Sequence, residues 1–506
     1  MQFTGNCGPA RDFSALSPGD VFKLFFSRAV WDLLVHETNR YAEQTGSETS
    51  WIPTHANEMM AFVALILAMG INKLPQYHMY WSTCDILRMS FYASIMSRNR
   101  FTSIMRYFHL SDNQLPEPAS GCDKLKKVRP LLDVLLHKFR TLYYPGQNLS
   151  PDESMLKFKG RLGFLQYMPR KPVKWGMKAF SLNESQTGYT SSWILYTGAA
   201  AKDRITSRRP PMIVNSNSSS PSQCHPSDLT IPGEVVVELV NGFQHKGHVI
   251  YCDNYFNRPA LVGKLAQLGF GCCGPVRYTA YGVPKAADPK TNKMKKGDDP
   301  KFYEKAGQLC IVWHDNKNVV LVTNVGDCQV IPKQIRCKKS QGGFREIAKP
   351  KAIDNYNKFM GGTDLANQMF QYYAHKHRSL KWWKRVFFSL LNISVLNATV
   401  IFNSIATNKH LSNLDFRLQV IDGLLTGWER NTMLRCTRPN ANEFPIRLIE
   451  KMHYPGKNPS GRKRDCIVCS NRRLHKRKQT RSICKQCTLP MCFVPCFEKY
   501  HSLHFV

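Results

Sequence analysis

A multi-domain α/β fold is predicted for this 506-residue chain by three observations. Helical periodicity fills roughly the first 145 residues, strand-like runs alternate with helices after that, and cysteines crowd the last 41 residues. A length of this order divides into two to four structural units, by the usual size of a hydrophobic core. With 43% hydrophobic residues, including 28 Phe, 20 Tyr and 9 Trp, the chain has material for real cores and is not a disordered polyelectrolyte.

Residues 22–41, 57–69, 98–108 and 129–142 carry apolar side chains at helical spacing. The apolar run 59–71 is too short to span a bilayer and reads as a buried helix. No secretory pattern opens the chain. From Leu149 the period changes, and 149–158, 173–182 and 189–196 read as three consecutive strands. Residues 203–230, rich in Ser, Pro and Asn, read as a flexible loop. A helix over 233–244, a strand ending at Asp253, a helix over 258–268 and a strand near 274–277 follow. Three strands, helix, strand, helix, strand is the order of a ribonuclease-H-like catalytic core. Residues 280–350 break this alternation and read as a β-rich insertion, with strands at 308–314 and 319–324. Helical character resumes at Asp364, and a long apolar helix runs from Trp382 to about 402.

The expected domains are a helical region (1–145), the core in two parts (146–279 and 351–403) around the insertion (280–350), a helical return segment (404–458) and a Cys-rich zinc-binding domain (459–506). Lys plus Arg outnumber Asp plus Glu by 70 to 36, a formal charge of +34. Such an excess points to nucleic acid, because neutralising phosphates releases counterions and yields affinity without sequence specificity. An odd count of 17 Cys argues for reduced thiols and metal binding rather than a disulfide framework, so the expected setting is intracellular.

The strand His248–Asp253 delivers a carboxylate to the end of an apolar layer, which costs several kcal/mol unless a cation or hydrogen bonds compensate. Two further acids stand out: Asp152 in Leu149-Ser150-Pro151-Asp152, and Asp364 after Gly361-Gly362-Thr363. Each alone is an ordinary turn or helix-cap acid, as Asp354 reads here. Together they suit phosphodiester cleavage, in which carboxylates from separate segments converge on two Mg²⁺ (or Mn²⁺) ions about 4 Å apart.

Eight soft donors follow in the tail: Cys466, Cys469, Cys484, Cys487, Cys492, Cys496, His501 and His504. Two Zn²⁺ ions need that many ligands, and so small a domain folds only if metal supplies the energy. An interleaved, RING/PHD-like cross-brace assigns Cys466, Cys469, Cys492 and Cys496 to one ion. Cys484, Cys487, His501 and His504 then hold the other. From Lys451 the tail has 13 basic residues against two acidic ones, including Arg472, Arg473, Lys476, Arg477 and Lys478. These suit phosphate contact or a nuclear localisation signal.

The stretches 152–161 (DESMLKFKGR), 171–176 (KPVKWG), 252–259 (CDNYFNRP) and 356–369 (YNKFMGGTDLANQM) together resemble piggyBac transposases and the host proteins derived from them. The resemblance runs in order through nearly the whole chain. It implies a cut-and-paste DNA transposase with Asp152, Asp253 and Asp364 as catalytic and metal-binding triad. The expected chemistry passes through hairpin intermediates and inserts at TTAA, with the chain as a nuclear homodimer on double-stranded transposon ends. The flanking helical region is the expected dimerisation and DNA-binding surface. Lys159, Arg161, Lys171 and Lys174 are candidate phosphate contacts, and Trp382 corresponds to a family tryptophan that handles DNA near the active site. Asn367 stands where some active members carry a further acid, and Pro151 suggests a bulge in the first strand. The family's frequent N-terminal extension is absent. The alternatives are a domesticated DNA-binding or chromatin protein without catalysis, and a cross-brace that recognises protein tails.

Overall fold

The structure, a computed structural model, describes residues 2–46, 51–114, 123–169, 171, 173–198, 229–336, 343–375, 377, 379–405, 410–429, 453–470 and 477–501. The expected loop at 203–230 lies almost wholly outside them. The chain divides into two compact units, Met1–Glu429 and Arg430–Val506.

The first unit opens with β1 (Gly8–Pro9), α1 (Pro18–Phe25), α2 (Arg28–Gln44), α3 (Ala56–Ile71), α4 (Ser90–Ile95), α5 (Arg98–Tyr107) and α6 (Arg129–Thr141). Apolar spacing suggests one helix over 22–41, but the chain breaks after Phe25, and Ser27 in extended backbone begins α2. Ser17 caps α1, its Oγ accepting the Asp20 N–H at 3.2 Å. Helix α3 is apolar on every side and correspondingly buried.

The central part holds β2 (Tyr143–Tyr144), β3 (Asn148–Lys157), β4 (Gln166–Tyr167), β5 (Trp175–Glu184), β6 (Thr190–Leu195), α7 (Ile231–Leu239), β7 (Val249–Tyr251), α8 (Pro259–Gln267) and β8 (Gly271–Pro275). It continues with β9 (Lys301–Lys305), β10 (Gln308–His314), β11 (Asn318–Thr323), β12 (Val330–Arg336) and β13 (Phe344–Pro350). A nine-stranded sheet runs β4-β5-β3-β7-β8-β11-β10-β9, with β6 also paired to β5. Strands β3, β5 and β6 are antiparallel neighbours, whereas β3, β7 and β8 are parallel. Helix α8 makes the crossover that parallel β7 and β8 require. This is the ribonuclease-H-like order.

Within the expected insertion, β11 pairs with β8 and carries the core sheet outward, which covers an edge that would otherwise be free. Strands β12 and β13 form a separate hairpin. One expectation changes: Pro151 makes no bulge against β5, for it pairs in register with Leu182. Alternate residues of β3 face β5 and β7, and the ladder with β7 ends at Leu149, so the N–H that Pro151 lacks is not needed.

Helices α9 (Lys351–Phe359), α10 (Gly362–Tyr372), α11 (Trp382–Ile405) and α12 (Asn413–Leu425) complete the unit. With 24 residues, α11 is long and apolar enough to cross a bilayer, yet most of it lies inside the protein. Phe387 packs on Phe108 at 4.6 Å between ring centroids, and buried Asn397 exchanges two 2.9 Å bonds with the Thr190 backbone in β6. The N-terminal helices therefore share one core with α11 and α12.

The second unit holds β14 (Pro455–Lys457), β15 (Arg464–Asp465), β16 (Gln479–Thr480), β17 (Ser482–Cys484) and α13 (Cys496–Tyr500). Strand β14 pairs with β17, and β15 with β16. Cys466, Cys484, Met491, Cys496 and Tyr500 are its buried core, too little apolar surface to hold a fold alone.

Candidate functional site

The first two acids sit on adjacent parallel strands. Asn148 lies beside Val249 and Leu149 beside Ile250, with Asp152 three residues further along β3 and Asp253 two residues past the end of β7. Past β7 the chain turns sharply. The Asp253 carbonyl accepts the N–H groups of Phe256 (3.2 Å) and Asn257 (2.9 Å), and its Oδ1 accepts the Tyr255 N–H.

The third acid arrives on α10, which is fixed to β3 and β5 by polar contacts. The Thr363 hydroxyl donates toward the Ser150 carbonyl (2.9 Å) and Asn183 Oδ1 (3.0 Å), and Ser150 Oγ donates to the Met360 carbonyl at 2.5 Å. Close approach demands glycine at 362, where a Cβ would meet the Glu184 carbonyl oxygen and the Ser185 Cα at 2.9 Å each. Asp364 is exposed, Asp253 and Asp152 are half-buried, and Asn367 lies one turn beyond Asp364.

The acids also act on the ionisable groups around them. Burial, then the adjoining Glu153 carboxyl, push the Asp152 carboxyl far above the usual carboxylate range. Burial alone would lower the Lys171 ammonium, but Asp152, Glu153 and Asp364 together hold it above its ordinary value. Burial raises the Tyr356 phenol, with Asp253 and Asp152 both adding to the rise. Lys171 is thus influenced by the first and third acids, and Tyr356 by the first and second.

Oxygen donors of this kind suit a hard cation such as Mg²⁺ or Mn²⁺. A carboxyl whose ionised form is disfavoured by burial and by a neighbouring acid, as at Asp152, is one whose charge a divalent cation would stabilise. The three carboxylates do not crowd within 4.8 Å of one another as the ligands of the second unit do. Two ions about 4 Å apart, each about 2 Å from its oxygens, need no such crowding.

The candidate phosphate contacts separate into two kinds. Lys159, Arg161 and Lys174 are exposed. Lys171 instead pairs with Glu153 at 3.2 Å, an acid that spacing alone did not single out. Asp354 is no turn residue: it sits in the first turn of α9 and binds buried Lys349 at 2.6 Å. Trp382 is half-buried with its ring edge-on to Phe164 at 5.4 Å, while Trp383 is a core residue.

In the second unit two four-residue clusters form. Cys466, Cys469, Cys492 and Cys496 make one, as the interleaved pattern anticipates. The other joins Cys484, Cys487 and His501 to His453, where the sequence suggested His504, which lies outside the described residues. The reason is strand pairing. Pro455 lies opposite Cys484, and the Lys485 N–H donates to the Tyr454 carbonyl at 2.9 Å, so β14 carries His453 beside the second Cys pair. His453 Nδ1 lies 3.5 Å from Cys484 Sγ and 3.4 Å from Cys487 Sγ. His501 Nδ1 donates to the Phe497 carbonyl at 2.8 Å, and Nε2 faces Cys487 Sγ at 3.4 Å. Of the basic run, Arg472, Arg473 and Lys476 lie outside the described residues, Lys478 is exposed, and Arg477 pairs with Asp465 at 2.8 Å.

The sheet order and the Cys/His tail together are those of a transposase-type scaffold carrying a zinc finger. The family model described as Transposase IS4 matches residues 17–399, and one described as a DDE_Tnp_1-like zinc finger matches 449–502, a span that holds His453 but not His504. Human (Homo sapiens) PiggyBac transposable element-derived protein 3 is 25% identical over 505 residues, covering 98% of this chain and 78% of that relative. Human PiggyBac transposable element-derived protein 2 is 25% identical over 407 residues, 79% of this chain and 64% of that relative. A piggyBac transposase solved by cryo-EM as a synaptic complex with hairpin DNA matches with a TM-score of 0.68, at 21% identity, over 96% of this chain and 98% of that one. The chain belongs to the piggyBac-type transposase family.

Proposed function

We propose that this chain is a cut-and-paste DNA transposase that acts on double-stranded transposon ends and TTAA targets, by hydrolysis and strand transfer through hairpin intermediates. The observation that supports the reading is the parallel pairing of β3, which bears Asp152, with β7, which leads to Asp253, together with the bond from Thr363, next to Asp364, to Ser150 in β3. Asp152, Asp253 and Asp364 are the residues that would hold two Mg²⁺ or Mn²⁺ ions, with Asn367 offering a neutral oxygen one turn later. Bound there, such ions supply an activated attacking oxygen and stabilise the leaving one. Lys171 balances the negative charge of the three acids and Glu153, and the exposed Lys159, Arg161 and Lys174 meet DNA phosphates.

The zinc finger, with two Zn²⁺ ions on its two clusters, presents basic residues to the transposon ends. The chain works as a homodimer on paired ends in the nucleus, where its substrate lies. A second reading, DNA binding without catalysis, draws on Asn367, which lacks the charge of a fourth acid.

An excision assay tests the choice, using a plasmid that carries the element's own terminal repeats. Wild type should release the insert and restore TTAA, and Asp253→Asn should not. A wild type that shifts end DNA in a gel yet never excises would establish the second reading.

A further inference from the structure

The hairpin of β4 and β5 holds two large aromatic rings in water. Tyr167 and Trp175 face each other across the strand pair, with centroids 4.7 Å apart and planes at 35°. They are 54% and 46% exposed, and β4 is a two-residue strand at the outer end of the sheet. A cross-strand aromatic pair steadies a hairpin by at most about 1.5 kcal/mol, which does not explain leaving half of each ring in solvent.

Charge identifies the occupant. From Lys157 to Lys178 the sequence has seven basic residues and no acid. Lys157, Lys159, Arg161 and Lys174 are exposed around the ring pair in sequence. An apolar protein partner would gain nothing from so many cations. A polyanion with planar rings satisfies both features, with phosphates on the cations and bases on the aromatic faces. Bases within a duplex are already stacked on one another, so only unpaired ones can use such a surface. The turn between β4 and β5 also reaches the acids, since Lys171 pairs with Glu153 and feels Asp152 and Asp364.

We propose that Tyr167 and Trp175 form a stacking platform for unpaired DNA bases flanking the site of cleavage. The inference rests on the reading of the chain as a DNA-acting transposase and deepens it, by naming a single-stranded flank as what this hairpin holds.

The test is fluorescence anisotropy with the full zinc-loaded chain and no added divalent cation. Two probes are compared: a blunt duplex, and the same duplex with a single-stranded extension of about four nucleotides, the low end of what a stacking groove covers. Wild type should prefer the extended probe. The Tyr167→Ala/Trp175→Ala variant should lose about tenfold of that preference while binding the blunt probe as wild type does, and Tyr167→Phe/Trp175→Phe should retain it. An alanine variant that keeps the preference overturns the platform and leaves the DNA reading standing. An equal loss on both probes, or unchanged binding with an altered sedimentation coefficient, also overturns it, the latter marking a protein interface. A wild type that binds neither probe sinks the DNA reading and the platform with it.

Discussion

The hydroxyl of Thr363 reaches the carbonyl of Ser150 at 2.9 Å, so the helix that bears Asp364 is tied to β3 two positions from Asp152. Both partners are buried, and the Thr363 side chain makes its second bond to the sheet at Asn183. Thr363→Val keeps the shape and removes the donor. It leaves two buried acceptors short of a partner, which costs about 1–3 kcal/mol. Urea denaturation should show a lower midpoint at unchanged slope, and excision should fall by more than the loss of folded protein explains.

Glycine 362 sets the height of the same helix. In Gly362→Ala the new methyl meets backbone atoms of Glu184 and Ser185, which cannot rotate away, so α10 must shift. A cost of about 1–3 kcal/mol is expected, as for other overpacked sites. Excision should be lost while end-DNA binding in a gel shift persists.

Zinc content separates His453 from His504. Metal analysis of purified protein should find two Zn²⁺ per chain in wild type and in His504→Ala, but one or fewer in His453→Ala, whose side chain faces Cys484 and Cys487. Equal loss in both variants would return His504 to the site.

Acid should unfold the first unit in a defined window. Burial lowers His109 and His377 each to about 4 from an ordinary value near 6.5. Between those values the unfolded chain binds protons that the folded one refuses, so stability is fully present above about pH 6.5 and is lost as pH falls toward 4. Each imidazole adds up to about 1.4 kcal/mol per pH unit to that slope. All 9 tryptophans precede Arg430, so their fluorescence follows this unit alone. His109→Phe, which keeps the ring stacked on Tyr41 but cannot take a proton, should flatten the curve.

What the sequence displays follows from local periodicity. Strand β10 falls on the expected residues, and the long apolar α11 begins where Trp382 announces it, because alternation and helical spacing are written into neighbouring residues. The chemistry-bearing words around Asp152, Asp253 and Asp364 are equally visible. What it hides depends on partners far along the chain. Nothing near Val319 says that β11 will pair with β8, and nothing near His453 says that β14 will carry it to Cys484. Lys171 looks like a free phosphate contact until the fold sets Glu153 beside it. The break after Phe25 is hidden for another reason, since apolar spacing continues straight across Ser27.

The claim on which the rest turns is that Asp152, Asp253 and Asp364 bind the same divalent cations. Electron paramagnetic resonance of Mn²⁺ added to the zinc-loaded chain, and to Asp152→Asn, Asp253→Asn and Asp364→Asn, measures this without requiring activity. Saturable binding in wild type that each single substitution weakens at least about tenfold, in line with the loss of a ligand or its support, is the predicted result. Three variants that bind Mn²⁺ as wild type does would contradict it.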